Sequence, residues 1–337
     1  MSPVLSGAIV LGCFLVVVLS ADMIVRGAIA LARSLKVSPL LIGLTLVAFG
    51  TSAPELAIAV QAVVKGAPGQ ALGNITGSTI ASCFLVIGLP ALFLPLVTAV
   101  PGLTRAAFAA VIASAVFVGI LVFGLPYGEH SAVGMLGRPE GVVLLSCLGF
   151  YLVFMALVAR NPKSDDPAIA EMRTIHELPG LPKSAFSALG SIILGTAALA
   201  IASHFCVGQS ISLARLLGVS DERIGLSLLA IGTSLPELAA SIIAVIRKRP
   251  DLAAGNVLGS VVFNVLGVSG VASLAGPIII PARLAQFDAL IMLACVLTLA
   301  AFVILRRRIG VFTGSILLFS YGAYLIGAVL RSSPWGQ

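Results

Sequence analysis

Charged residues are scarce in this 337-residue chain, at 10%, whereas hydrophobic residues make up 59% and the mean hydropathy is +1.15. Water-soluble domains carry about 25% charged residues, so the composition excludes that class. The five cysteines show no CxxC or CxxH spacing, and HExxH is absent. The sequence therefore predicts no disulfide framework and no zinc site, and we expect no enzyme and no cofactor.

Long apolar stretches are abundant instead. A helix needs about 20 apolar residues to cross the hydrocarbon core of a bilayer. The first stretch lacks the basic start and the cleavage site of a secretory signal, so we interpret it as a span. The fold class predicted is an all-α polytopic membrane protein with ten transmembrane helices, at 4–30, 39–64, 71–95, 105–124, 141–160, 185–212, 223–246, 253–276, 285–305 and 310–330.

The Lys and Arg residues are distributed unequally between the two sides of the membrane that these ten spans define. Fourteen of the 20 fall on one side, among them Arg26, Arg105 and the run Arg306 to Arg308. By the positive-inside rule that side is cytoplasmic, which puts both termini outside. The net charge of +7 thus marks topology, and no nucleic-acid partner is expected.

The chain reads as two copies of one unit. A polar linker at 161–184, predicted to be cytoplasmic, separates a first half, 1–160, from a second, 185–337. GTSAPELAIAV, starting at Gly50, and GTSLPELAASI, starting at Gly232, are 182 residues apart, as are GNITGS and GNVLGS, starting at Gly73 and Gly255. Five spans per half is an odd number, so the second copy enters the membrane from the opposite face and forms an inverted repeat.

Each copy carries a carboxylate at membrane depth, Glu55 or Glu237, directly after a proline. An ionised group there costs on the order of 3 kcal/mol, so protons or a cation must compensate. Pro54 and Pro236 remove backbone donors and free helical carbonyls. Two carboxylates with carbonyl and hydroxyl oxygens suit Ca²⁺, which takes about 6–8 oxygen ligands.

The second repeated motif adds polar side chains one helical turn apart. Ser78 and Ser82 share one helix face, as do Ser260 and Asn264. Glycines spaced by four precede them in each copy, which predicts close helix approach at Gly73, Gly77, Gly255 and Gly259. Outside the motifs, Asp22 is predicted to form an i,i+4 ion pair with Arg26.

GTSAPE with GNITGS, and GTSLPE with GNVLGS, closely resemble the two alpha-repeats of the sodium/calcium exchangers, prokaryotic ten-helix members of the calcium/cation antiporter superfamily. The resemblance extends over nearly the whole chain. It implies a bacterial or archaeal plasma (inner) membrane protein whose partners are calcium and sodium ions and membrane lipids. The ion ligands it implies are Glu55, Glu237 and the Thr51 and Thr233 carbonyls for Ca²⁺, and Ser52, Ser78, Ser234, Ser260 and the Ala48 and Ala230 carbonyls for Na⁺.

Two positions depart from the prokaryotic pattern. Ser82 stands where the relatives often have Asn, and Asn264 where they often have Asp. Two carboxylates neutralise one Ca²⁺, but three Na⁺ would leave an excess charge of one. The potassium-dependent members of the superfamily resemble this site but carry Asp at the place of Asn264, so the resemblance disfavours potassium coupling. Two functions therefore stay open: Ca²⁺/Na⁺ antiport by alternating access, with the long first and sixth helices sliding over the rest, and Ca²⁺/H⁺ antiport on the same fold.

Overall fold

A computed structural model describes residues 3–96, 98–100, 102–123, 132–160, 181–216, 230–281 and 284–332. The predicted linker except for 181–184, and the start of the predicted seventh span, 223–229, lie outside these ranges.

The first half is helical, and prolines begin several of its helices. Pro39 and Pro68 occupy the first turn of their helices, where the missing N–H is tolerated. The Ser38 side chain accepts a 3.3 Å hydrogen bond from Leu41 N and caps the first of these two helices. The elements are α1 (Pro3–Leu35), α2 (Pro39–Ile42), π1 (Gly43–Val47), α3 (Ala48–Thr51), α4 (Ala53–Val64), α5 (Pro68–Phe93), α6 (Leu103–Phe123), β1 (Ala132–Leu136) and α7 (Arg138–Arg160).

The second half is also helical, but its strand lies before the fourth predicted span of that half, whereas β1 lies after the fourth span of the first half. Pro250 again lies in the first turn of a helix. The elements are α8 (Ala185–Leu216), α9 (Ala230–Thr233), α10 (Leu235–Ile246), α11 (Pro250–Val262), π2 (Phe263–Val268), α12 (Ser269–Ala275), β2 (Ile278–Pro281), π3 (Leu284–Asp288), α13 (Ala289–Ile304) and α14 (Val311–Ser332).

Within the described residues, eight helices are long and apolar enough to cross a membrane. A ninth crossing is the pair 39–51 and 53–64, bent by 42° at a break. The predicted seventh span is described only from residue 230, as α9 and α10. The helical class is therefore as predicted, while the tenth span falls partly outside the description.

The helices divide into an inner bundle and an outer pair. The most buried spans are 68–93 and 250–275. In the most apolar 18-residue stretch of each, 78% and 89% respectively is buried. The longest helices, α1 and α8, pack against each other. Glycines let them approach, since a Cβ on Gly27 would lie 2.8 Å from Ala188 O and one on Gly195 would lie 2.8 Å from an Ile24 side-chain carbon. The predicted sliding helices are therefore in direct contact.

Two loop pairings connect the halves. β1 and β2 form an antiparallel two-stranded ribbon, and Leu96 and Ile309 form an isolated bridge. The β-branched run from Ile278 to Ile280 favours extended structure. The sequence analysis did not predict the ribbon, because neither strand has a clear alternating pattern. Each pairing joins two loops that the predicted topology puts on the same side of the membrane.

Candidate ion-binding site

Each half contains a helix break with the same backbone geometry. Ser52, between α3 and α4, has φ −89° and ψ 6°, and Ser234, between α9 and α10, has φ −90° and ψ 7°. The helix resumes at once, with Pro54 and Pro236 in the first turn, where a backbone N–H would have no partner within the helix. The repeated sequence thus gives a repeated local fold.

Both carboxylates lie directly after these breaks and are buried, with Glu55 0% and Glu237 1% exposed. Ser52 Oγ of the first half donates to Glu237 Oε1 of the second half at 2.8 Å. Ser78 Oγ donates to Glu55 Oε1 within the first half at 3.5 Å. The two acids are therefore held differently, one across the repeat interface and one within its own repeat.

Several buried oxygens of this region have no hydrogen-bond partner among the described residues. A buried polar group left unsatisfied costs about 1–3 kcal/mol, so such a cluster requires compensation. Hard oxygen atoms of carboxylates, hydroxyls and amides are the ligands that Ca²⁺ and Na⁺ accept, so this donor set fits the predicted cargo. The unpartnered oxygens are Glu55 Oε2, Glu237 Oε2, Ser234 Oγ, Ser260 Oγ and Asn264 Oδ1.

Two asparagines hold the backbone of the acidic residues. Asn74 Nδ2 donates to Glu55 O, and Asn256 Nδ2 donates to Glu237 O, each at 3.3 Å. Asn256 also accepts from Thr51 Oγ1 of the other half at 3.2 Å and donates to Ser241 Oγ at 3.1 Å. The sequence analysis noted both asparagines as repeated residues but gave them no role. Their repetition at one offset was the available signal.

The remaining predicted residues lie around this centre. Thr51 and Ser82 are buried, each 1% exposed, and Thr233 is partly buried. The buried Ala48 has its carbonyl engaged, since it accepts from Ser52 N at 3.0 Å and from Thr51 Oγ1 at 3.4 Å. Ala230 begins α9, and its side chain is outside the described set.

Small residues bring the helices of the two halves together at the site. A Cβ on Gly255 would lie 2.6 Å from Leu40 O, and one on Gly259 would lie 2.6 Å from Leu44 O. The predicted close approach is therefore confirmed for this glycine pair. Around Gly73 and Gly77 no described atom lies within 4 Å of such a Cβ, and the repeat-equivalent segment, 222–226, is outside the description.

Helix α8 lies against both breaks. A Cβ on Gly50 would meet Thr196 Oγ1 at 2.6 Å, and one on Gly232 would meet a Val207 methyl at 2.6 Å. A larger residue at either glycine would require the Thr196 or Val207 side chain to shift. Helix α8 of the outer pair is thus packed against the residues just before both breaks.

An ion pair network ties α1 to the end of α10. Arg26 Nε contacts Asp22 Oδ2 at 2.7 Å, which confirms the predicted i,i+4 pair. Arg247, the residue that caps α10, contacts Asp22 Oδ1 through its terminal nitrogen at 2.6 Å. The second contact was not predicted. It connects the outer pair to the inner bundle on the side predicted to be cytoplasmic.

The carboxylate content of the site is low. No group of three or more His, Cys, Asp or Glu residues that could hold a metal is present in the part of the chain that the structure describes. Position 264, buried in π2, offers a neutral amide, and Ser82 offers a neutral hydroxyl. Glu55 and Glu237 are thus the negative charges available to a bound cation here.

Known proteins with similar sequences and structures indicate the same kind of function. The family model described as sodium/calcium exchanger protein matches residues 5–157 and 187–330. CaxA of Alkalimonas amylolytica, named as an antiporter, is 37% identical over 90% of this chain and 92% of its own. The sodium/calcium exchanger MaX1 of Methanosarcina acetivorans is 30% identical over 91% and 93%. A solved structure of the sodium-calcium exchanger NCX_Mj, soaked without Na⁺ and Ca²⁺, superposes with a TM-score of 0.77 at 26% identity, covering 97% of this chain and all of that one.

Proposed function

The chain belongs to the sodium/calcium exchanger protein family, an integral membrane family of cation antiporters, and we propose that it exchanges Ca²⁺ for Na⁺ by alternating access. The observation that carries the proposal is the hydrogen bond from Ser52 to Glu237 across the repeat interface, beside carboxylate oxygens with no partner among the described residues. Ligands from both halves then form one site.

In this proposal Glu55 and Glu237, with the Thr51 and Thr233 carbonyls, hold Ca²⁺. The serines at 52, 78, 234 and 260, with the Ala48 and Ala230 carbonyls, hold Na⁺, while Ser82 and Asn264 contribute neutral oxygens. Both ions need the same two carboxylates, so one ion leaves when the other binds. This competition enforces exchange and prevents a leak.

The proposed architecture has ten spans in two inverted five-helix repeats, 1–160 and 185–337, with both termini outside a plasma (inner) membrane. The ribbon and the Leu96–Ile309 bridge support it, because each joins loops that the ten-span topology assigns to one side. Inverted copies can exchange conformations, which opens a midplane site to each side in turn. The pair of α1 and α8, of which α8 packs over Gly50 and Gly232, is the element proposed to slide.

A second candidate is Ca²⁺/H⁺ antiport on the same fold. The neutral side chains at Ser82 and Asn264 favour it, because two protons on Glu55 and Glu237 balance one Ca²⁺ without a third acid. Binding of more than two Na⁺ in exchange for one Ca²⁺ would need more negative charge than Glu55 and Glu237 supply.

Purified protein in proteoliposomes tests these functions. Vesicles loaded with Na⁺ are diluted into Na⁺-free medium containing ⁴⁵Ca²⁺, with the proton gradient collapsed by an ionophore, and the wild type is compared with Glu55→Gln. We expect Na⁺-driven uptake that the variant loses. Uptake that ignores Na⁺ and follows an imposed proton gradient would assign the H⁺ function instead, and uptake under neither gradient would reject both.

A further inference from the structure

An apolar groove runs along the outer face of the inner bundle, between α6 and α7. Its volume is about 740 Å³, within the range of roughly 300–1,000 Å³ typical of ligand pockets. Val262 and Leu266 of the second half are part of its lining, and they flank Asn264 of the ion site in sequence. Nothing in the proposed function uses this groove.

The length of the groove matches one leaflet of a bilayer. On α6 its lining extends from Arg105 to Val116, eleven residue steps or about 16 Å. Half of a hydrocarbon core is about 15 Å thick. Lining residues such as Phe108 and Phe150, 51% and 75% exposed, leave the groove open along its side. A groove of these dimensions fits an acyl chain that enters from the surrounding lipid.

One end of the groove carries a positive charge. Arg105 lies in the first turn of α6, is exposed, and has no carboxylate partner among the described residues. α6 and α7 are consecutive predicted spans and so run in opposite directions, which puts Phe154 of α7 at the same end. A guanidinium at a membrane boundary attracts the phosphate of an anionic lipid.

A second polar group lies inside the groove. Tyr151 is 7% exposed and belongs to the lining, and its hydroxyl has no hydrogen-bond partner in the described part of the chain. It is three residues, about 4.5 Å of helix, from Phe154 and thus close to the Arg105 end. A buried phenol normally finds an acceptor, and the ester carbonyl of a phospholipid lies just below its phosphate.

We propose that this groove binds one anionic phospholipid, with an acyl chain between α6 and α7, the phosphate on Arg105 and an ester carbonyl on the Tyr151 hydroxyl. Charge complementarity selects a lipid over a neutral detergent or an apolar protein surface. By the predicted topology the lipid belongs to the cytoplasmic leaflet. The bound chain packs on the outer side of the helix that carries Asn264.

Native mass spectrometry of the full-length protein tests the proposal without any transport measurement. The wild type is incubated with phosphatidylglycerol or phosphatidylcholine of identical acyl chains, and the retained lipid is counted. We expect about fivefold higher retention of phosphatidylglycerol, the ratio that one cation contributes at a membrane surface. Arg105→Gln should remove this preference, and Arg105→Lys should keep it, which separates lost charge from lost folding.

Two further variants locate the lipid. Arg308→Gln, which removes a charge from the same predicted face but away from the groove, should leave the preference unchanged. Ala109→Phe, which fills the groove, should lower retention of both lipids. Equal losses in Arg105→Gln and Arg308→Gln would overturn the proposal, as would a wild type without preference. So would a dimer mass that Ala109→Phe converts to monomer, since a second copy would then cover the groove.

Discussion

Ser52 Oγ donates a 2.8 Å hydrogen bond to Glu237 Oε1, although the two residues belong to different halves of the chain and are 185 positions apart. Ser52 is itself the residue at which the first broken helix bends. The break of one repeat therefore supplies the partner of the other repeat's carboxylate. The proposed ion site therefore depends on the interface between the halves.

The first prediction concerns this bond. Ser52→Ala removes a donor to a carboxylate, a bond typically worth about 1.5–3 kcal/mol, and a proposed Na⁺ ligand. We expect Ca²⁺ and Na⁺ each to bind at least tenfold more weakly, as measured by isothermal titration calorimetry. Ser273→Ala, whose buried hydroxyl donates to Gly270 O, is the matched control. If the two variants bound the ions with equal affinity, Ser52 would not be part of the site.

The second prediction compares the two asparagines. Among the described residues, Asn256 makes three hydrogen bonds, which join Thr51, Glu237 and Ser241, whereas Asn74 makes one, to Glu55 O. Interhelical bonds in membranes contribute about 0.6 kcal/mol each on average. Asn256→Ala should therefore lose about 1–2 kcal/mol more unfolding free energy than Asn74→Ala, as read from reversible denaturation in detergent. A larger loss for Asn74→Ala would contradict the assigned network.

The third prediction tests the helix contact behind the site. A methyl group on Gly259 would lie 2.6 Å from both Leu44 O and Ala48 Cβ, inside van der Waals contact. Gly259→Ala should destabilise the protein by about 1–3 kcal/mol through overpacking and weaken Ca²⁺ binding. Gly149→Ala, with no neighbour within 4 Å in the described structure, should leave the melting temperature unchanged or raised. An equal change in stability in the two variants would argue against the close approach of Gly259 to Leu44 and Ala48.

The fourth prediction concerns Asp22, which connects α1 to Arg247 at the end of α10. If α1 slides during exchange, this partly exposed contact must break in each cycle. Asp22→Asn should then raise the exchange rate by up to about fivefold, because such pairs contribute about 0.2–1 kcal/mol. Ca²⁺ affinity should change little.

Stopped-flow Ca²⁺ uptake with a fluorescent indicator measures this rate, and equilibrium titration measures the affinity. Asp251→Asn is the control, since its partner Arg249 lies two residues away and outside α1. A fall in the exchange rate, or an equal rise in the control, would show that the Asp22–Arg247 contact does not break during exchange.

Local and repeated features could be predicted from the sequence. The Asp22–Arg26 pair follows from i,i+4 spacing, and the two breaks follow from Pro54 and Pro236 at one offset. The contact of Asp22 with Arg247 could not be predicted, because it depends on how α1 packs against α10. The asymmetry between Ser52, bound to Glu237, and Ser234, unpartnered in the described residues, was also hidden. Duplicated sequence implies equal roles, whereas packing makes them unequal.

The central claim, that Glu55 and Glu237 form one Ca²⁺ site, is tested most directly by Ca²⁺ binding to purified protein under equilibrium dialysis. The account predicts one Ca²⁺ per chain for the wild type, displaced competitively by Na⁺ or by protons. Glu55→Gln and Glu237→Gln should each abolish this binding completely. Two Ca²⁺ ions per chain, with either variant keeping one of them at full affinity, would contradict a shared site.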